Sequence, residues 1–306
     1  MKAEIKEILS SYFNVKSVLS VESISAGFAN ANYKACTLDD RFLYRLCLQN
    51  PDEKSLNHEI RLTDYLSANE VPVAKIYPNN HGDLITSTPS GKLMLTEFID
   101  GHEPNLNEKT VREIALAVGK LNSLPEWEPF RRKNIIHIDY CDEIISLIPE
   151  ASNQLPEIYE YFIEQTNFLK PYLKHDLPIG LIHGDIFPDN TIYEGDKLKA
   201  IIDFEESCVD HLLMDVAMTI NGFCFVDNKL DKNLVDAFIQ AYQNFRPLEE
   251  KEKELLPFYI QWAAHGMLSW HLRYSLMHKH SQKQYERVVE LMNRVLKLRR
   301  SDLHFL

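Results

Sequence analysis

Asp185, Asn190 and Asp203 are the three side chains whose type and spacing suit phosphoryl transfer. The first two lie in His183-Gly184-Asp185-Ile186-Phe187-Pro188-Asp189-Asn190, and the third ends the apolar run Ile201-Ile202. Transfer of a γ-phosphoryl group from ATP asks for one carboxylate to orient the attacking hydroxyl and hard oxygen donors for Mg2+. On that basis Asp185 is the expected catalytic base, and Asn190 and Asp203 the expected metal ligands. An Asp-x4-Asn spacing alone is common. The preceding His-Gly, the strand-like flanks and the second aspartate make this one specific. A polar turn between strands is the plain alternative, and it gives no reason for the additional acid. His183 is expected to hold backbone in place by hydrogen bonds rather than to titrate. Asp189, next to Pro188, reads as a solvated carboxylate on a rigid turn.

These residues need rigid elements to aim them. An amphipathic helix opens the chain at residues 1–13. It lacks the continuous apolar stretch of a signal peptide. Residues 18–24 and 31–37 read as strands joined at Gly27, and 41–48 as a third strand after Leu38-Asp39-Asp40. A helix follows at 55–68 and is broken at Val71-Pro72-Val73. Strands near 82–86 and 93–98 complete an expected five-stranded sheet.

From Asp100-Gly101 the pattern turns helical. Val111, Ile114, Ala115, Val118 and Leu121 form one apolar stripe. Further helices are expected at 139–148, 156–173, 213–223, 232–244 and 249–277. A last one carries Val288, Val289, Met292, Val295 and Leu296 on one face. A hairpin at 191–203, turning at Gly195-Asp196, interrupts the helices just before Asp203. The expected architecture is α+β with two lobes, residues 1–98 and 99–306, the second holding the catalytic residues.

Composition agrees with a globular enzyme. The 306 residues are 45% hydrophobic and 25% charged, an ordinary balance. A formal net charge of −12 argues against a nucleic-acid partner, which would need a basic face. The basic end, with Lys297, Arg299 and Arg300, suits the last turn of a helix. Cys36, Cys47, Cys141, Cys208 and Cys224 show no metal-ligand spacing, as expected of reduced thiols in a cytoplasm. No stretch approaches the ~18 apolar residues of a membrane span. Nothing in the sequence sets the oligomeric state.

The segments Ile24-Ser25-Ala26-Gly27-Phe28-Ala29-Asn30-Ala31-Asn32-Tyr33, Leu181 to Asn190 and Ile202-Asp203-Phe204-Glu205-Glu206-Ser207-Cys208, leading to Asp210 and Asp215, carry a resemblance through nearly the whole chain. The chain resembles the aminoglycoside phosphotransferase and choline kinase superfamily, with its bilobal protein-kinase-like fold, and within it the kinase-like homoserine kinases. The resemblance implies ATP and Mg2+ as cofactors and a small-molecule hydroxyl acceptor. It implies phosphate contacts from Ser25, Gly27, Asn30 and Asn32. It also implies adenine contacts from the backbone of Glu97, Phe98 and Ile99. Arg45 stands where a protein kinase has its strand lysine, with Glu59 as the partner glutamate. Arginine can grip phosphate through two parallel hydrogen bonds, although it does not interchange with lysine. Gly27 stands alone where protein kinases carry three glycines. Asp215 resembles a buried aspartate that ties the catalytic loop together, while an aspartate at a helix start is also a common N-cap.

For the acceptor, Glu205, Glu206 and Asp210 offer negative charge to an ammonium group. Arg273, with His265, Trp270 and His271, offers the carboxylate side, on a segment whose aromatic residues equally suit a core helix. Homoserine is the acceptor the resemblance favours, giving O-phosphohomoserine on the route to threonine. The short stretch between Asp203 and Asp215 leaves no room for a protein-substrate activation segment. The sequence after Asp203 lacks the tryptophan that choline kinases tend to place there. Choline or ethanolamine, an aminoglycoside or another amino alcohol stay open as acceptors. A nucleotide-holding module without transfer is admitted by Arg45 and the single glycine, and the intact Asp185, Asn190 and Asp203 weigh against it.

Overall fold

Alternating burial along Arg41–Cys47 sets the layers of the first part of the molecule. Phe42, Tyr44 and Leu46 are buried on one face, and they pack with Ile5, Ile8 and Leu9 of helix α1 (Lys2–Phe13). Cys47 turns to the opposite face, where it joins Leu56 and Ile60 of helix α2 (Glu53–Ala68) and Met94. The period of two thus gives the sheet one helix per face. Arg45, between Tyr44 and Leu46, is directed to the α2 side, where it meets Glu59.

The computed structural model describes residues 2–24, 30–48, 51–151, 156–277 and 282–300. Ser25 and Gly27 lie outside the described residues. Two units separate, Met1–Glu103 with Thr191–Glu205 and Pro104–Asn190 with Glu206–Leu306.

The sheet of the first unit comprises β1 (Ser20–Ile24), β2 (Ala31–Cys36), β3 (Arg41–Cys47), β4 (Ile76–Tyr77), β5 (Thr86–Thr88) and β6 (Gly91–Glu97). Its order is β1-β2-β3-β6-β4, with β5 also on β6, and every pairing is antiparallel. Six strands stand where five were expected. The segment read as one strand at 82–86 is largely a turn. Asn79 accepts from the backbone N–H groups of His81 and Asp83 at 2.9 and 3.0 Å, and Gly82 takes φ +89°. An asparagine that mimics a backbone turn outweighs the local apolar pattern there. The hairpin β8 (Thr191–Glu194) and β9 (Lys197–Ile201) joins this unit through bridges from Val73 to Ile201 and from His102 to Tyr193.

The second unit is helical. Helix α3 (Glu108–Asn122) buries all five residues of its predicted stripe and starts with an Asn107–Thr110 capping box, which satisfies N–H groups that the helix itself leaves open. It is followed by α4 (Ile138–Ala151), α5 (Pro156–Leu169), α6 (Leu212–Phe223), α7 (Lys232–Tyr242), α8 (Glu250–Met277) and α9 (Gln282–Arg300). The strand-like flank before His183 is β7 (Ile179–Ile182), and it pairs antiparallel with β10 (Cys208–His211), a strand that the periodicity did not reveal. A minimal hairpin, β11 (Phe225–Val226) with β12 (Lys229–Leu230), follows α6.

The buried face of α9 is rotated from the expected one. Val288 and Val295 are buried with Leu291, Arg294 and Leu298, whereas Val289, Met292 and Leu296 are only partly covered. Arg294 belongs to that face because its guanidinium donates to Asn221 O at 2.7 Å and Asn228 Oδ1 at 2.8 Å and lies 4.2 Å from the Phe225 ring centroid. A charged residue is buried only with such partners, and periodicity of apolar residues cannot see them.

Candidate active site

The turn that carries Asp185 is built from the strand outward. Strand β7 ends at Ile182, opposite Cys208. The chain then reverses through Gly184 at φ +84°, a backbone conformation that glycine adopts without cost. His183 is fully buried, and its Nδ1 accepts from the Asp185 N–H at 3.2 Å. Asn190, in a single 3₁₀ turn at Pro188–Asn190, donates its amide Nδ2 to Asp185 O at 2.8 Å and to Asp185 Oδ2 at 2.9 Å. The Asp185 carboxylate is therefore aimed by its own loop. With its amide nitrogen committed, Asn190 has its amide oxygen left for a cation. Asp189 is exposed.

Asp215 anchors this turn from below. Helix α6 starts at Leu212, with His211 at the cap position, so Asp215 sits inside the first turn and does not cap the helix. It is fully buried. Its Oδ2 accepts from His183 N at 2.8 Å and its Oδ1 from Gly184 N at 2.9 Å. Asn122 Nδ2 donates to Oδ2 at 3.1 Å. Burial pushes the carboxyl's pKa up, while the N–H groups of Gly184 and His183 and the Asn122 amide favour the anion.

Sequence reasoning missed what stands behind Asp215. Asn122 Oδ1 accepts from Tyr242 OH at 3.0 Å, and that hydroxyl accepts from Arg246 Nη1 at 3.1 Å. Arg246 Nη2 reaches both carboxylate oxygens of the wholly buried Glu252 at 2.6 Å. Four residues, from three helices and a loop, thus pass hydrogen bonds to the aspartate below the turn. The only sequence signal is a polar residue ending an apolar stripe, at Asn122. Gly222 was missed as well. A Cβ there would lie 2.9 Å from Ile186 O and 3.1 Å from Phe187 Cα, so only a glycine lets α6 approach the turn this closely.

In the first unit, Arg45 lies opposite Asn32 on β2 and Met94 on β6. Its guanidinium is paired with Glu59 of α2 and also with Glu205. The three side chains are only 12%, 10% and 7% exposed. Burial works against the Arg45 charge, but Glu59 and Glu205 outweigh it and hold the pKa above the ordinary arginine value. Burial raises the Glu59 pKa, with Arg45 opposing it. Asn30 donates its amide to Glu205 and accepts from Leu48 N at 2.9 Å. Asn32 Oδ1 is buried without a hydrogen-bond partner among the described residues. Asp203, exposed, takes φ +66° just before the turn Phe204–Glu206. A non-glycine residue held there stores about 1–3 kcal/mol of strain, and such strain gathers at functional sites.

Of the backbone groups expected at adenine, two are already engaged. Glu97 N donates to Lys75 O at 2.8 Å, and Phe98 N to Arg41 O at 3.1 Å. Ile99 is half-buried beyond the end of β6.

The expected acceptor residues have different partners. Glu205 is committed to Arg45. Asp210 accepts from Asn134 Nδ2 at 2.7 Å and, with His137, His211, Tyr259 and Trp262, lines a small cleft of the second unit. Arg273 is exposed and lies 5.6 Å from the Tyr140 ring centroid. His265 is a core residue, fully buried, stacked on Phe162 and 2.9 Å from Thr166 Oγ1. Burial, helped by Arg299, pulls its pKa down to about 3. His271 is likewise pulled down, chiefly by burial, to about 4, and lies edge-on to half-buried Trp270.

An antiparallel sheet flanked by α1 and α2, a helical second unit and an Asp–Asn turn anchored by a buried aspartate define an α+β protein-kinase-like phosphotransferase. Residues 20–255 match the model of the phosphotransferase enzyme family, and the chain belongs to that family. It is 27% identical over 264 residues to a homoserine kinase of Agrobacterium fabrum, covering 85% of this chain and 82% of that protein. Among solved structures, a spectinomycin phosphotransferase in complex with ADP and spectinomycin superimposes with a TM-score of 0.73 at 13% identity, covering 98% of this chain and 99% of that one. A choline/ethanolamine kinase family protein from Mesorhizobium loti gives 0.73 at 15% identity, covering 99% and 96%. Among the described residues, no helix is long and apolar enough to cross a membrane.

Proposed function

We propose that this phosphotransferase moves the γ-phosphoryl group of ATP, with Mg2+, to the hydroxyl of L-homoserine. The observation that carries the transfer chemistry is the Asp185 carboxylate held by the Asn190 amide on a turn fixed by Asp215. The choice of acceptor rests on the likeness to homoserine kinases along 85% of the chain, because a shared fold alone leaves the acceptor open. In this reading the step supplies O-phosphohomoserine for threonine synthesis in the cytoplasm. Choline, ethanolamine or an aminoglycoside are the acceptors it competes with.

Asp185 accepts the proton of the attacking hydroxyl, or orients it, as the phosphoryl group passes in line. Arg45, kept in place by Glu59, takes a phosphate oxygen, with Ser25, Gly27, Asn30 and Asn32 as further phosphate contacts. Adenine meets the backbone of Glu97 to Ile99 through groups other than the Glu97 and Phe98 N–H, which are already engaged. Residues 1–98 serve the nucleotide, and residues 99–306 carry the base and the acceptor. The donor set fits Mg2+. Among the described residues no three His, Cys, Asp or Glu side chains gather as a metal site, and Mg2+ is commonly held by one or two protein oxygens together with water and phosphate. Asn190 and Asp203 would supply those oxygens, and a bound cation would neutralise charge on the phosphates. Of the acceptor residues Glu205, Asp210 and Arg273, Asp210 lines a small cleft and is the acid placed to meet a small ligand.

A coupled ATPase assay with homoserine, choline, ethanolamine and kanamycin tests the acceptor. Homoserine-dependent turnover is expected. Turnover with choline and none with homoserine refutes the acceptor while leaving the kinase. Asp185→Asn is expected to lower kcat by about 10²–10⁴ with ATP still bound, and Asp203→Ala to remove metal-dependent nucleotide binding. Near-normal turnover of the Asp185 variant removes its role as base.

A further inference from the structure

Arg45 faces two acids where the expected clamp needs one. One terminal nitrogen of its guanidinium meets Glu59 and the other Glu205. The amide of Asn30 donates to the same Glu205 oxygen, Oε1, that Arg45 reaches. Asn30 is itself steadied, because its Oδ1 accepts from Leu48 N at the end of β3. Two donors held by the sheet therefore converge on one point, and a carboxylate oxygen occupies it. Converging N–H donors of this kind make an anion site.

The two acids are mounted differently. Glu59 lies in the middle of α2, beside Leu56 and Ile60, in the buried cluster under β3. Glu205 lies on the three-residue turn Phe204–Glu206, directly after Asp203 with its strained backbone. A phosphate grips an arginine through the fork of its terminal nitrogens. The point on which Arg45 and Asn30 converge is filled by Glu205 Oε1, so a phosphate that uses both donors there has to take the place of Glu205, the acid not built into a helix.

We propose that Glu205 is a phosphate surrogate, a carboxylate that holds Arg45 and Asn30 ready and is exchanged for a nucleotide phosphate oxygen on binding. This rests on reading Arg45 as the phosphate clamp. The exchange leaves both donors satisfied before and after, so neither is ever a buried, unpaired group, which would be costly. It also sets a threshold, because only a ligand with enough negative charge to outcompete the carboxylate can enter. Adenosine, lacking phosphate, gains nothing from the exchange.

Calorimetric titration of the purified chain with ATP, ADP and adenosine, in the absence of divalent cations, tests this. Glu205→Gln weakens the competing anion, and Glu205→Asp shortens its reach while keeping its charge. Both variants are expected to bind ATP and ADP more tightly than the wild type, Glu205→Gln by about tenfold, equivalent to one charge-assisted hydrogen bond. Adenosine affinity is expected to stay unchanged. Weaker or unaltered ATP binding in variants whose melting temperature is retained overturns the proposal and makes Glu205 a plain support of Arg45. A wild-type protein that binds ATP with an affinity unaffected by Arg45→Ala overturns instead the clamp reading on which the proposal stands.

Discussion

Replacing Asp215 by asparagine changes almost no volume, and the structure states what is lost. The carboxylate accepts from His183 N, Gly184 N and Asn122 Nδ2, at 2.8, 2.9 and 3.1 Å. An amide has one oxygen, so one backbone N–H of the turn faces an NH2 group. A buried donor left unsatisfied costs about 1–3 kcal/mol. The hydrogen bonds that remain lose their charge assistance, roughly 1 kcal/mol more in total. Relief from burying a charge opposes both, since burial already raises the Asp215 pKa. The net expectation is a loss of about 2–3 kcal/mol, near 3–5 °C in melting temperature for a chain of this size. The turn that aims Asp185 loosens with it, so kcat is expected to fall by at least about tenfold, a misplacement effect, while the KM for ATP changes little. Differential scanning calorimetry and steady-state kinetics on the same preparation read both. A variant that melts within a degree or two of the wild type and turns over normally refutes the anchoring role.

Gly222→Ala places a methyl 2.9 Å from Ile186 O and is expected to cost about 1–3 kcal/mol, as overpacking does, with a fall in kcat as the turn is displaced; unchanged turnover counts against the close approach. His265, whose pKa falls from 6.5 to about 3 through burial, binds its proton in the unfolded chain first as pH drops. Its contribution to stability is therefore complete above pH 6.5 and declines between the two values by about 1.4 kcal/mol per pH unit. His265→Gln, which cannot titrate, is expected to flatten the stability–pH slope between about pH 6 and 4 by about one proton, measured by urea unfolding. An identical slope in both proteins rules out His265 as its source.

The elements most readable from sequence are those with sustained periodicity. The stripe of α3 is buried as expected, and the strands through Arg45 fall within a residue or two of their expected ends. Legibility fails where a side chain replaces a backbone partner. Asn79 turns an expected strand into a loop, and Arg294 enters the buried face of α9 through its bonds to Asn221 and Asn228. Both are tertiary decisions by polar groups, and apolar patterning carries no trace of them. The relay from Asn122 to Glu252 is hidden for the same reason, since its members come from positions 122, 242, 246 and 252.

The site divides along a similar line. Asp185 and Asn190 lie at short spacing on one loop and are bonded to each other, so that pair can be read directly from the chain. Acceptor recognition makes no demand on spacing, because side chains from any element can line a pocket. Glu205 and Asp210 are read as acceptor residues from their charge and their place after Asp203, and Arg273 from a carboxylate's need for a cation. The structure gives them three environments: the buried Arg45 guanidinium, a small aromatic cleft and an exposed position on α8. Charge complementarity to an amino acid was a sound criterion, but it cannot tell an acid that awaits a ligand from one already spent on an internal cation. Burial and partner decide that. Glu205 is 7% exposed and paired with Arg45, whereas Asp210 is half-buried in a cleft, where its two oxygens accept from the Asn134 amide and the His211 N–H.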